Sequence, residues 1–104
     1  MRESALGQTG DAEYTILVFF SNFNERSLRA SVAIREFVES HPRSGTIAAK
    51  EISYEDDRDI CAHYGVTGTP ALFLFRKQEL IGRHFGEITS DELATLLEEA
   101  LGAD

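Results

Sequence analysis

The chain has 104 residues, a length that holds one domain around one core and not two. Its hydrophobic content of 42%, with seven Phe and three Tyr, is enough to fill that core and argues against global disorder. The formal net charge of −8 leaves no basic patch to neutralise phosphates, which disfavours nucleic acid and anionic membrane surfaces and favours partners with basic surfaces.

Residues 1–13 are polar, contain Gly7 and Gly10 and show no periodicity, so they read as a flexible N-terminal arm ahead of a domain spanning 14–104. The arm lacks the apolar core of a secretion signal. No run elsewhere approaches the roughly 18 apolar residues of a membrane span, and a cytoplasmic protein is expected. Cys61 is the only cysteine, which rules out an intrachain disulfide and agrees with a reducing compartment.

Tyr14–Phe20 is a β-branched and aromatic run with the character of a central strand buried on both faces. Ser21-Asn22-Phe23-Asn24 breaks it, and Asn24 is positioned to cap a helix that runs to about Ser40. The expected apolar stripe of that helix is Ala30, Ala33, Ile34 and Phe37, widened by Leu28, Val32 and Val38, with Arg26, Arg29, Arg35, Glu36 and Glu39 facing solvent. His41–Gly45 ends it. Thr46–Ser53 is a more polar strand, nearer an edge. Asp56 or Asp57 starts a short helix through Tyr64, where acidic residues meet the positive end of the helix dipole.

Gly65 reads as a helix stop and Thr69-Pro70 as the entry to a strand, since proline is tolerated at a first strand position. Ala71–Phe75 is apolar throughout. After a polar turn at Arg76–Glu79, residues 80–86 pair back as a hairpin, with Gly82 marking a bulge. Thr89 or Ser90 caps a last helix whose stripe is Leu93, Leu96, Leu97, Ala100 and Leu101. The element order is β-α-β-α-β-β-α. It describes an α/β fold with a mixed central sheet flanked by helices, parallel crossovers in the first half and an antiparallel hairpin in the second.

This order, with the Thr69-Pro70 step into a buried strand, resembles the thioredoxin superfamily over residues 14–101. In that family the proline is cis and faces a Cys-x-x-Cys motif at the start of the first helix. The resemblance puts Phe23 in the aromatic position before the motif, which here reads Asn24-Glu25-Arg26-Ser27. Disulfide exchange needs a thiolate whose pKa a helix N-terminus lowers, and neither an amide nor a hydroxyl replaces it. Ser27 has no histidine or acid at a spacing that would activate its hydroxyl, and it reads as a first-turn serine. Cys61 reads as a small apolar residue on the core side of the short helix, the alternative being a redox or glutathionylation site. Glu55-Asp56-Asp57-Arg58-Asp59 lacks the glycine and terminal glutamate of an EF-hand loop and reads as a solvated helix start. His41, His63 and His84 fall on three different elements. No metal and no cofactor is expected.

A tighter set of fragments is Tyr14, Ile16–Phe20, Ser27-Leu28-Arg29-Ala30 with Ile34, then Gly45, Ala48, Lys50 and Ile52, then Thr69-Pro70-Ala71-Leu72, Gly86-Glu87 and Ser90-Asp91. On these the chain resembles the KaiB family of circadian-rhythm proteins and the KaiB-like sensor domain of the associated histidine kinase. The resemblance implies protein binding without catalysis, a KaiC-type ATPase or a signalling kinase as partner, and fold switching between a tetrameric ground state and a thioredoxin-like form. Two departures stand out. The family's Pro-Pro-Pro segment is replaced by Phe73-Leu74-Phe75-Arg76-Lys77-Gln78-Glu79, and Glu87 stands where an aspartate is usual. Residues 71–86 are locally consistent with a hairpin and 90–101 with a helix, so the thioredoxin-like state is expected.

The resulting expectation is a redox-inactive, non-enzymatic interaction module, monomeric or weakly oligomeric. Its partner-binding residues would be Asn24, Glu25, Arg26, Ser27, Arg29, Thr69, Pro70 and Glu87. Two alternatives stand beside it. One is an accessory chaperone of the hydrogenase-maturation type, whose acidic surface suits a basic leader peptide. The other is a degenerate thiol oxidoreductase working through Cys61 or an Asn24/Pro70 groove.

Overall fold

β1 (Tyr14–Phe20) lies between two neighbours, parallel to β2 (Ile47–Ser53) and antiparallel to β3 (Ala71–Arg76), in a computed structural model that describes residues 12–42 and 44–101. β4 (Glu79–Phe85) pairs antiparallel with β3 and completes the sheet in the order β2-β1-β3-β4. Composition explains the order. β1 and β3 are apolar on both faces and almost wholly buried, so they take the interior positions. β2, which carries Lys50 and Glu51, takes an edge as expected.

α1 (Glu25–Glu39) and α3 (Ser90–Leu101) cover one face of this sheet. Ile34, Val38, Leu93, Leu97 and Leu101 pack there against Tyr14, Ile16, Val18, Leu72 and Leu74. α2 (Arg58–Tyr64) covers the other face, where Cys61 joins Leu17, Phe19, Ile52, Phe73 and Phe75. A helix this short holds a sheet face because Tyr64 meets Phe19, Phe73 and Phe75 edge-on, at ring-centroid distances of 6.1, 5.7 and 5.8 Å. Each such pair contributes about 0.5–1.5 kcal/mol beyond the area it buries.

The helix ends follow the local chemistry. α2 stops at Gly65, whose φ of 73° lies in the left-handed region, with the Gly65 and Val66 amides returning to the Ala62 and Cys61 carbonyls. Asp57 precedes α2 without a side-chain capping bond. Thr89 and Glu92 satisfy each other at the start of α3: Thr89 Oγ1 accepts from the Glu92 amide at 3.0 Å, and Glu92 Oε1 from the Thr89 amide at 2.9 Å.

One expectation about α1 is corrected. Its buried row is Ser27, Ser31, Ile34 and Val38, while Ala33 is exposed and Val32 is 42% exposed. Serines can face inward here because their hydroxyls are paired. Ser31 Oγ donates to Glu51 Oε2 at 2.8 Å, and Arg35 holds the same carboxylate at 3.0 Å. The helix is therefore turned so that Leu28, Val32 and Ala33 look away from the sheet.

Residues 71–75 form a strand, as the thioredoxin-like expectation requires. In the hairpin, Gly82 stands opposite Leu74 and Leu80 opposite Phe75, so Ile81 is the extra residue of a bulge beside Gly82. Gly82 also admits α3, because a Cβ there would lie 3.0 Å from Leu96 Cδ1. Residues 1–11 of the expected arm lie outside the described residues. Glu13, counted with that arm, is tied to the hairpin: its carbonyl accepts from the Lys77 amide at 2.9 Å and its carboxylate meets Arg76 at 3.0 Å. Among the described residues no helix is long and apolar enough to cross a membrane.

Candidate functional site

The strand directions bring the C-terminal ends of β1, β2 and β4 and the start of β3 to one end of the sheet. The N-terminus of α1 opens at the same end. Asn24 is the hinge of the arrangement. Its Oδ1 accepts from the Arg26 and Ser27 amides at 3.0 and 3.2 Å and caps α1, as its sequence position predicts. Its Nδ2 donates to the Thr69 carbonyl at 3.3 Å. The Thr69-Pro70 peptide is cis, and the Pro70 carbonyl accepts from the Gly86 amide at 2.9 Å. The loop after β1, the entry to β3 and the exit from β4 are thus linked through Asn24, Thr69 and Pro70.

Ser27 is fully buried in this turn. Its Oγ accepts from the Ser21 amide at 2.9 Å and lies 2.9 Å from the Asn24 carbonyl and 3.2 Å from the Ser21 carbonyl, to which it donates. Among the described residues the hydroxyl is engaged by backbone groups of its own turn. Ser27 and Pro70 are both buried, beneath the surface at this end of the sheet.

The surface itself consists of other side chains. Phe23 is 89% exposed at the tip of the β1–α1 turn. Arg26 approaches Glu87 at 3.9 Å with both side chains largely in solvent, a contact that contributes about 0–1 kcal/mol. The Glu87 carbonyl lies 2.9 Å from His84 Nε2. Thr69 is half-buried beside them. Asn24, Arg26, Ser27, Thr69, Pro70 and Glu87 therefore meet at one end of the molecule. Glu25 and Arg29 do not join that set: they pair with each other at 3.7 Å, one helical turn apart, and Arg29 borders the outward row of Leu28 and Val32.

Sequence reasoning missed Glu55, which it assigned to a solvated helix start. Its carboxylate accepts from Ser21 Oγ and, at 2.8 Å, from the Asn22 amide. The Ser21 hydroxyl first, and then the Asn22 amide, hold the Glu55 carboxyl below the usual carboxylate range. Ser53 adds to this clamp by accepting from Asn22 Nδ2 and from the Asp56 amide, both at 3.3 Å. No periodicity announces a bond between residues 34 positions apart. Cys61 is buried under α2 as expected, and burial, followed by Asp57, Asp59 and Glu55, pushes its thiol up. Among the described residues no group of three or more His, Cys, Asp or Glu side chains is placed to hold a metal ion.

No protein-family model and no curated protein sequence matches the chain. Solved structures do. A mutant thioredoxin from Halobacterium salinarum superposes with a TM-score of 0.76 at 22% identity, covering 88% of this chain and 77% of that one. A designed protein gives 0.78 at 20% identity, covering 91% and 87%. A protein named Trxlp from Edwardsiella tarda gives 0.74 at 14% identity, covering 86% and 85%. At these identities the likeness establishes the fold, which is thioredoxin-like.

Proposed function

We propose that the chain is a redox-inactive interaction module that binds a protein partner with the sheet end carrying Phe23, Arg26, Thr69 and Glu87. The observation that carries this reading is the use of Asn24 and Ser27. At the two positions where the resemblance to thioredoxins puts thiols, one side chain caps α1 and ties it to Thr69, and the other is buried as a turn fastener. Neither is poised for electron transfer or acyl transfer. Cys61 does not replace them, since it lies in the core under α2 with its thiol pushed up. An exposed aromatic beside an exposed charge pair is, by contrast, the composition of a protein contact, where aromatic and arginine side chains anchor binding. The KaiB-like fragments indicate the partner class: a KaiC-type ATPase or a signalling kinase.

Two measurements test this. In an insulin-reduction assay with dithiothreitol the protein should show no turnover above background, and the double variant N24C/S27C should gain it. Turnover by the unaltered protein would sink the redox-inactive reading. In size-exclusion binding to a KaiC-type ATPase, the unaltered protein should co-elute and Phe23→Ala should not. Co-elution with a basic leader peptide in place of the ATPase would assign the chain to the accessory-chaperone class.

A further inference from the structure

α1 carries apolar residues on two sides: Ile34, Phe37 and Val38 pack toward the sheet, and a second row looks away from it. At about 100° per residue, the row Leu28, Val32, Ala33 and its flanks Arg29 and Glu36 are centred about 160° around the helix from the buried row. Ser27 and Ser31 share the sheet-facing row with Ile34 and Val38, while Leu28, Val32 and Ala33 line the outward one. That outward row is continuous and shallow, and Val32 at its middle is 42% exposed.

Apart from Glu25 in the first turn, the charges on this helix run against its dipole. Arg26 and Arg29 stand in its N-terminal half, Glu36 and Glu39 in its C-terminal half, and the last turn has no basic residue. This opposes the helix dipole, which favours acids at the N-terminus and bases at the C-terminus. Arg35, the one basic residue of the C-terminal half, is committed to Glu51. Among the described residues Arg29 pairs with the exposed Glu25, at 3.7 Å.

A second copy would cover the outward row and offset these charges. We propose that α1 is a homodimer interface, in which two copies pack antiparallel about a two-fold axis between Val32 and Ala33, with Arg29 of each facing Glu36 of the other. The spacing is self-complementary. Arg29 and Glu36 lie equally far on either side of that axis, about 5 Å along the helix at 1.5 Å per residue. Reversing one helix against the other therefore brings base to acid at each of these positions and opposes the two dipoles. Ala33 at the axis lets the backbones approach, Val32 supplies the apolar centre, and Leu28 an apolar flank. One helix pair buries less than the roughly 1,000 Å² of a stable interface, so the dimer is weak and reversible.

Sedimentation velocity from about 10 μM to about 1 mM tests the proposal. The sedimentation coefficient should rise with concentration toward that of a dimer. Val32→Glu should abolish the rise. Arg29→Glu and Glu36→Arg alone should each weaken association about tenfold, and R29E/E36R together should restore it to within about threefold of the original. These positions are on the surface, so all four variants should keep the far-ultraviolet circular dichroism and unfolding midpoint of the unaltered protein. A monomer throughout the range would overturn the proposal and leave the face to a different partner. So would a dimer indifferent to Val32→Glu, or a double variant no better than the two single ones.

Discussion

Asn24 donates from Nδ2 to the Thr69 carbonyl at 3.3 Å while its Oδ1 caps α1. One amide thus fastens the first helix to the entry of β3, two segments 45 residues apart in sequence. An aspartate could cap as well but could not donate. Asn24→Ala should therefore lose about 1 kcal/mol for the cap and a further 0.5–1.5, roughly, for the cross-link. Asn24→Asp should keep the first part and lose the second. Urea unfolding of the two variants separates them; an Asn24→Asp variant as stable as the unaltered protein would mean that the bond to Thr69 contributes nothing.

Ser27→Ala tests the turn beneath. The substitution removes the acceptor of the buried Ser21 amide and leaves that donor without a partner, at a cost of about 1–3 kcal/mol. The loss should appear in the denaturation midpoint with an unchanged slope, since the unfolded chain exposes the same surface. A loss under roughly 0.5 kcal/mol would show that water replaces the hydroxyl.

The sheet was legible in the sequence because its inner strands announce themselves. Ile16–Phe20 and Ala71–Phe75 are apolar without interruption, and β-branched and aromatic residues give these short runs the pattern of strands covered on both faces. The cap at Asn24 and the stop at Gly65 were legible because few residue types suit those positions, and the cap of α3 was narrowed to Thr89 or Ser90, of which Thr89 makes the bond. The orientation of α1 was not legible. Ranking side chains by hydrophobicity sends Ala33 and Val32 inward, whereas Ser27 and Ser31 go in because partners on Ser21, Asn24 and Glu51 satisfy their hydroxyls. The site shows the same division. The local motif Asn24–Ser27 was readable, but Glu55, which closes it through Ser21 and Asn22, depends on a contact between the ends of β1 and β2.

Cys61 should be inert in the folded protein. It is buried under α2, and burial together with Asp57, Asp59 and Glu55 disfavours its thiolate. Since the raised thiol stays protonated near pH 8, a disulfide reagent should modify it only when the chain opens. The native rate should be at least about a hundredfold below that in denaturant, given the stability of a small domain. Modification of the native protein at the denatured rate would revive Cys61 as a reactive thiol.

Glu55 links the site to pH. Its carboxyl is held below the usual range of about 4.3 by the Ser21 hydroxyl and the Asn22 amide, and that of Glu92 is lowered by the Thr89 amide. Folding therefore favours the ionised form of both groups. Below the unfolded value the unfolded chain binds more protons than the folded one, so stability falls as the pH drops from about 4.3 through the folded values. The contribution is complete above that window. Glu55→Gln can still accept one bond through its amide oxygen, but it carries no charge and leaves one of the two donors, Ser21 Oγ or the Asn22 amide, without an acceptor. The variant should be less stable at pH 7, and its stability should fall less steeply than that of the unaltered protein between about pH 5 and pH 3. Unfolding midpoints measured across that range for both proteins should converge toward acid. Parallel curves would mean that the carboxylate of Glu55 gains nothing from Ser21 and Asn22 in the folded state.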